Sequence, residues 1–153
     1  HHLLRRQRQM CIRDRESAVD ADNWFDTGDI SSIDPDGYMA IVDREKDVIK
    51  SGGEWISSID LENVIANHPD VLQTAVVGIP HPKWDERPLL FIVSNSGNEF
   101  DRSELDDLML EKFEKWQLPD DVVFLKELPI GATGKVKKID LRQEYTDHYM
   151  KEA

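Results

Sequence analysis

One cysteine, Cys11, stands among 153 residues, so no disulfide can form within the chain and a reducing cytosol is the default compartment. No apolar run approaches the roughly 20 residues that cross a bilayer, and the opening residues lack the apolar core of a signal peptide. The expected location is therefore cytoplasmic, with no membrane span. Positive charge is also scarce. Lys and Arg number 19 against 31 Asp and Glu, a net charge of -12, which argues against nucleic acid as a partner because phosphate backbones are bound by cationic surface. Metal-ligand spacing is missing as well. His68 and His81 each sit beside a proline with no second ligand nearby, whereas zinc needs three or four, so no metal site is expected.

What is present describes a folded protein. Hydrophobic residues make up 39% and charged residues 33%, the profile of a globular domain with a core rather than of a disordered tail. The length suits one modest domain, or one domain and a piece of another. The charge is uneven, since Arg5, Arg6, Arg8, Arg13 and Arg15 face a single acid, Asp14, at the start. A basic arm of that kind can bind nucleic acid or anionic lipid, although such runs are more often merely solvated. Residues 1–20 are set aside as foreign to the fold, and Cys11 within them has no catalytic context.

From Trp24 onward the pattern is regular. Asp29 to Asp34 and Tyr38 to Arg44 read as strands joined at Pro35-Asp36-Gly37, and Asp47 to Lys50 as a third strand that Gly52-Gly53 interrupts. Ser57 and Asp60 resemble a capping box, with Leu61, Val64, Ile65 and His68 on one helical face and Pro69 as the stop. Two apolar runs, Thr74 to Ile79 and Leu89 to Val93, flank a polar loop from His81 to Pro88. A second helix begins near Asp101 and carries Leu105, Leu108, Met109, Phe113 and Trp116. Val122 to Leu125 reads as a strand, and Leu141 to Met150 as a terminal helix. The expected fold is α+β, a small open sheet flanked by helices and preceded by a separate β-hairpin.

Three segments combine glycine with charge: Trp24-Phe25-Asp26-Thr27-Gly28-Asp29, the run from Asp43 to Gly53, and Pro129-Ile130-Gly131-Ala132-Thr133-Gly134-Lys135. Each alone has a bland explanation as a turn or a solvated patch. In this order and spacing they resemble signature motifs of the adenylate-forming superfamily of acyl-CoA synthetases, luciferases and peptide-synthetase adenylation domains. The loop His81-Pro82-Lys83-Trp84-Asp85-Glu86-Arg87-Pro88 and the run from Lys115 to Arg142 resemble the medium- and long-chain fatty acyl-CoA branch. The resemblance starts near Trp24 and runs to the end of the chain.

The resemblance implies a C-terminal lid, residues 46–153, preceded at 21–45 by the tail of a large adenylate-binding domain. The family's Ser/Thr/Gly-rich phosphate loop does not occur, so the chain is expected to be part of a longer protein and inactive alone. The implied reaction makes acyl-AMP from a fatty acid and ATP with Mg2+, then exchanges AMP for coenzyme A. Asp29 is implied to receive the ribose hydroxyls of the adenylate, and Arg44 the same ribose or a phosphate. Lys135 is implied to be catalytic, a cation where charge develops at the α-phosphate. Lys46 is implied to be a hinge that absorbs the rotation between two lid orientations. In the second orientation Lys50, Gly52, Gly53 and Trp55 would face the acyl-adenylate, the glycines leaving room for pantetheine. Trp84, with Lys83 and Arg87, is a packing anchor or a wall of the coenzyme A approach.

Plainer readings stand beside these. Arg44 suits a surface ion pair with Asp43 or Glu45, the glycines suit an ordinary turn, and Lys50 suits an exposed strand. A non-catalytic binding module of the same fold is the alternative, although such a module would not need Asp29, Arg44 and Lys135 together.

Overall fold

The computed structural model describes residues 20–22, 24–97 and 99–151; the basic arm, apart from Asp20, lies outside them. Strand β1 (Asp29–Ile33) pairs antiparallel with β2 (Met39–Arg44) as a separate two-stranded sheet. Its turn is tied by the Asp34 carboxylate, which accepts from the backbone N–H of Asp36 at 3.0 Å and of Tyr38 at 2.8 Å. Ile33, Tyr38, Met39 and Ile41 of this hairpin are all exposed.

The second sheet has five strands: β3 (Ile49–Ser51), β4 (Glu54–Ile56), β5 (Val71–His81), β6 (Asp85–Ser94) and β7 (Asp121–Phe124). The central strand is β6. One of its edges pairs antiparallel with β5 throughout, from Asp85 to Ser94. Its other edge is shared, taking β3 at Asp85 and the parallel strand β7 at Leu89–Ile92.

Strand periodicity splits the core between the two faces. Leu90 and Ile92 point to one side, against Leu61, Val64 and Ile65 of α1 (Ser58–Ile65) and Leu105 and Met109 of α2 (Arg102–Leu110). Leu89, Phe91 and Val93 point to the other, against Leu141 of α3 (Lys138–Glu144), Leu128 and Tyr149. Both faces are buried, so β6 reads as one continuous apolar run instead of alternating. Among the described residues no helix is long and apolar enough to cross a membrane.

Several boundaries differ from the sequence expectation. Most of the polar run His81 to Pro88 is strand, with only Pro82, Lys83 and Trp84 forming the turn. Its charged residues are tolerated there because Arg87 spends its donors on protein acceptors. Gly52-Gly53 does more than interrupt β3. Both residues have positive φ, 61° and 90°, and form the two-residue turn into β4, the backbone demanded by a primed hairpin turn. Helix α1 stops at Ile65, before His68. Phe113 and Trp116 lie beyond α2, Trp116 within a 3-10 turn at Lys115–Gln117. Helix α3 begins at Lys138 and ends at Glu144, with a 3-10 turn at Tyr149–Lys151 completing the described chain.

Candidate functional site

Hairpin register brings the first two motifs together. Asp29 is the cross-strand partner of Arg44, and the Arg44 guanidinium Nε lies 3.6 Å from Asp29 Oδ1. The Arg44 side chain is 57% exposed and that of Asp29 31%, so both can still engage a ligand. Arg44 thus pairs with Asp29, not with its sequence neighbours Asp43 or Glu45. The chain then turns: the amides of Asp47 and Val48 each donate to the Arg44 carbonyl at 2.9 Å, and Lys46 is exposed on that turn.

Asp43, offered by the sequence only as a surface ion-pair partner of Arg44, is 1% exposed. Its carboxylate accepts from the backbone N–H of Ser58 at 2.8 Å and the Ser58 hydroxyl at 2.9 Å. Lys138 donates to the same hydroxyl at 2.8 Å and pairs with Glu62 at 2.7 Å. Glu62 also accepts from the backbone N–H of Val76 at 2.7 Å. Burial pushes the Glu62 carboxyl above its ordinary value, with Lys138 and the Val76 amide pulling against it. The signal that could have exposed this network was the i, i+4 spacing of Ser58 and Glu62, which puts both on one helix face.

The β3–β4 hairpin carries Lys50, Gly52, Gly53 and Trp55. Lys50 and Trp55 are cross-strand partners, and both are exposed. Beside this hairpin lies a cleft of about 350 Å3, lined by Ser51, Gly52, Glu54, Trp84, Trp116 and Asp120, with Arg87 beneath. The Trp84 ring packs over Gly52, where a Cβ would come within 3.1 Å of it. Lys83 Nζ stands 4.5 Å from the centre of the same ring.

Arg87 builds the cleft floor. Its side chain is 9% exposed and bonds both Asp120 oxygens, at 2.7 and 2.6 Å. It also donates to Ser51 Oγ at 3.0 Å, the Trp116 carbonyl at 2.7 Å and the Leu118 carbonyl at 3.0 Å. With its donors so engaged, Arg87 positions the walls. Trp116 emerges as the second aromatic wall, a role hidden in the sequence because its spacing matched the α2 face.

Lys135 sits elsewhere, exposed in a turn where Gly131 N–H donates to the Lys135 carbonyl at 2.8 Å. Gly134 in that turn has φ 78°, and the flanking Ile130 and Val136 form an antiparallel bridge. The singled-out residues therefore fall into three groups: Asp29 with Arg44, the glycine hairpin with its cleft, and the Lys135 turn. His68 is structural. It stacks on Phe100 with ring centroids 4.8 Å apart and meets Glu104 at 3.2 Å. Among the described residues no group of three or more His, Cys, Asp and Glu could hold a metal ion.

The family profile described as AMP-binding enzyme C-terminal domain matches residues 60–135. A 3-methylmercaptopropionyl-CoA ligase from Ruegeria lacuscaerulensis is 56% identical over 126 residues, which is 82% of this chain and 23% of the relative. A long-chain-fatty-acid–CoA ligase from Thermus thermophilus is 52% identical over 134 residues, 87% of this chain and 25% of that protein. The crystal structure of ATP-bound MatB from Rhodopseudomonas palustris superposes with a TM-score of 0.77 at 32% identity, covering 88% of this chain and 27% of its own. The chain thus spans about a quarter of the length of these proteins.

Proposed function

Through residues 60–135 the chain belongs to the AMP-binding enzyme C-terminal domain family, and from that membership we propose that it is the lid of an ATP-dependent, AMP-forming acyl-CoA ligase. Residues 21–45 complete a large adenylate-binding domain, and residues 46–153 move against it. The substrates are ATP, coenzyme A and a fatty acid. The observation that carries this reading is that the Lys135 turn and the glycine hairpin with its cleft share one domain as separate groups. A domain that presents each group in turn would let one active site use both, and the exposed turn at Lys46 lies where such a rotation would occur.

Asp29 and Arg44 fit an adenylate. A carboxylate accepts from two vicinal hydroxyls with both oxygens, and a half-exposed guanidinium has donors to spare for phosphate or ribose. In the first orientation Lys135 stabilises charge between the attacking carboxylate and the α-phosphate, without moving a proton. Mg2+ would accompany the ATP phosphates. In the second orientation Gly52 and Gly53 admit pantetheine, beside Lys50 and Trp55. Trp84 and Trp116 form an aromatic slot suited to the planar end of coenzyme A, with Lys83 at its mouth.

A chimera tests this. Residues 21–151 replace the matching quarter of the Thermus ligase, and pyrophosphate exchange and acyl-CoA formation are measured separately. The chimera should run both steps, while the 153-residue chain alone stays at background in both. Lys135→Ala should slow adenylation by about two to three orders of magnitude and spare coenzyme A transfer from supplied acyl-AMP. Equal losses in both steps would make Lys135 structural, and a folded but inactive chimera would overturn the lid reading.

A further inference from the structure

Building on the two-orientation lid, we propose that Asp43 is a positioning residue whose carboxylate latches the lid in one orientation and so sets the balance between the two half-reactions. Asp43 belongs to the hairpin, where its cross-strand partner is Ile30. Apart from its neighbour Arg44, its hydrogen-bond partners belong to the domain beyond Lys46. One carboxylate oxygen accepts from Ser58 N–H at 2.8 Å, Ser58 Oγ at 2.9 Å and Ile59 N–H at 3.5 Å, and the second from Arg44 N–H at 2.7 Å. A change of backbone angles at Lys46 carries Ser58 away from Asp43, so these bonds can exist in one lid orientation only.

Local chemistry makes the contact strong. Asp43 is 1% exposed and Ser58 0%, and a buried carboxylate is tolerated only where its charge is met. It is met by the first amides of α1, whose positive helix end favours an anion. Ser57, the residue before the helix, already caps the Asp60 amide at 3.2 Å, so Asp43 answers amides that the local cap leaves over. Lys138 aims the Ser58 hydroxyl. Its Nζ donates to Ser58 Oγ at 2.8 Å, which occupies an oxygen lone pair and leaves the hydroxyl proton for Asp43. Glu62 holds Lys138 in place at 2.7 Å. Lys138, Glu62 and Ser58 all move with the lid, and the Asp43 bonds alone in this network cross the hinge.

The test compares Asp43→Asn, Ser58→Ala and Glu62→Gln in the chimera. A hydrogen bond to a buried charge is strong enough that its loss shifts a two-state balance by about 10- to 100-fold. Asp43→Asn and Ser58→Ala should therefore change the ratio of the two half-reactions in the same direction and by about that factor, one step falling while the other holds or rises. Glu62→Gln, whose contacts lie within the lid and whose amide oxygen can still accept from Lys138, should leave the ratio within about twofold. Equal losses in both half-reactions for Asp43→Asn and Ser58→Ala would overturn the latch. A chimera inactive before substitution would count against the ligase reading instead, and the latch is then judged in the 153-residue chain itself. With Cys11→Ser and nitroxide labels at Asp36→Cys and Asp107→Cys, one narrow distance should broaden on Asp43→Asn. A distribution already broad, or one that Asp43→Asn leaves unchanged, would overturn it.

Discussion

Replacing Arg87 by methionine keeps the aliphatic reach of the side chain and removes every donor. Five hydrogen bonds disappear, to Asp120, Ser51, Trp116 and Leu118. Asp120 is 40% exposed, so water replaces its partner at little cost. Ser51 Oγ loses a donor in a buried position. The Leu118 carbonyl is buried and has no such escape, while that of Trp116 is partly buried, and an unsatisfied buried acceptor costs about 1–3 kcal/mol. The net loss should be about 3 kcal/mol, at the lower end of what breaking a buried charged network does. With a urea slope of about 2 kcal/mol/M, the unfolding midpoint falls by about 1.5 M. Tryptophan fluorescence is the natural probe, because Trp84 and Trp116 flank the cleft. Arg87→Lys should recover less than half of the loss, since an ammonium cannot reproduce the planar fork. A midpoint shift below about 0.3 M for methionine, or full recovery by lysine, would refute the claim that Arg87 builds the cleft.

Gly53→Val in the chimera should impair thioester formation more than adenylation; a Cβ meets nothing within 4 Å in this chain but is strained at φ 90°, so unfolding is checked by melting, and equal loss of both steps would sink the pantetheine assignment. Glu62 should destabilise the fold as pH rises. Its folded pKa lies above the ordinary 4.5, so its contribution is full below that value and is lost as pH climbs through the folded pKa. The stability of the unsubstituted chain relative to Glu62→Gln should therefore fall in urea titrations as pH rises above the ordinary 4.5, and a flat or rising difference would contradict the burial argument. Lys46→Pro should preserve one half-reaction and lose the other, because proline fixes φ near about -65°; Lys46→Ala should be mild in both, and a proline variant running both at full rate would move the hinge elsewhere.

How much of this was legible in the sequence depended on whether a residue acts through local pattern or through distant partners. The hairpin, α1 and the two central strands followed from periodicity and turn chemistry, which need only near neighbours. The α+β sheet with helices against it held. Polar strand ends did not show, because Asp85, Glu86 and Arg87 look like loop until the partners of Arg87 are known, and Asp120 lies 33 residues away. Strand β4 escaped notice because three residues carry no usable period. Asp29, Arg44, Lys135 and the glycines stood out as motif residues, and the structure gives Arg44 a partner, Asp29, that sequence distance had hidden. Asp43, Ser58 and Lys138 were silent, since an aspartate beside an arginine and a serine after a serine have ordinary surface explanations. Only burial separates them from that background.

The last residues of the described chain hold some of its most distant contacts. Lys138 reaches back 80 positions to Ser58, Arg142 reaches 64 to the Gly78 carbonyl, and the Tyr149 hydroxyl reaches 61 to the Pro88 carbonyl. Tyr149 is 4% exposed and belongs to the same cluster as Phe91 and Leu141. During synthesis, the sheet face that α3 and Tyr149 cover therefore stays open until those residues have left the ribosome. Loop closures of this span are entropically slow to form and come late on the folding path. In that interval Ala75, Val77, Ile79, Leu89, Phe91 and Val93 present an open apolar surface, the stage at which a nascent chain is most prone to aggregate. The arrival of α3 and Tyr149 ends that exposure, so the sheet and the helix that closes it must fold as one unit although some 60 residues separate them.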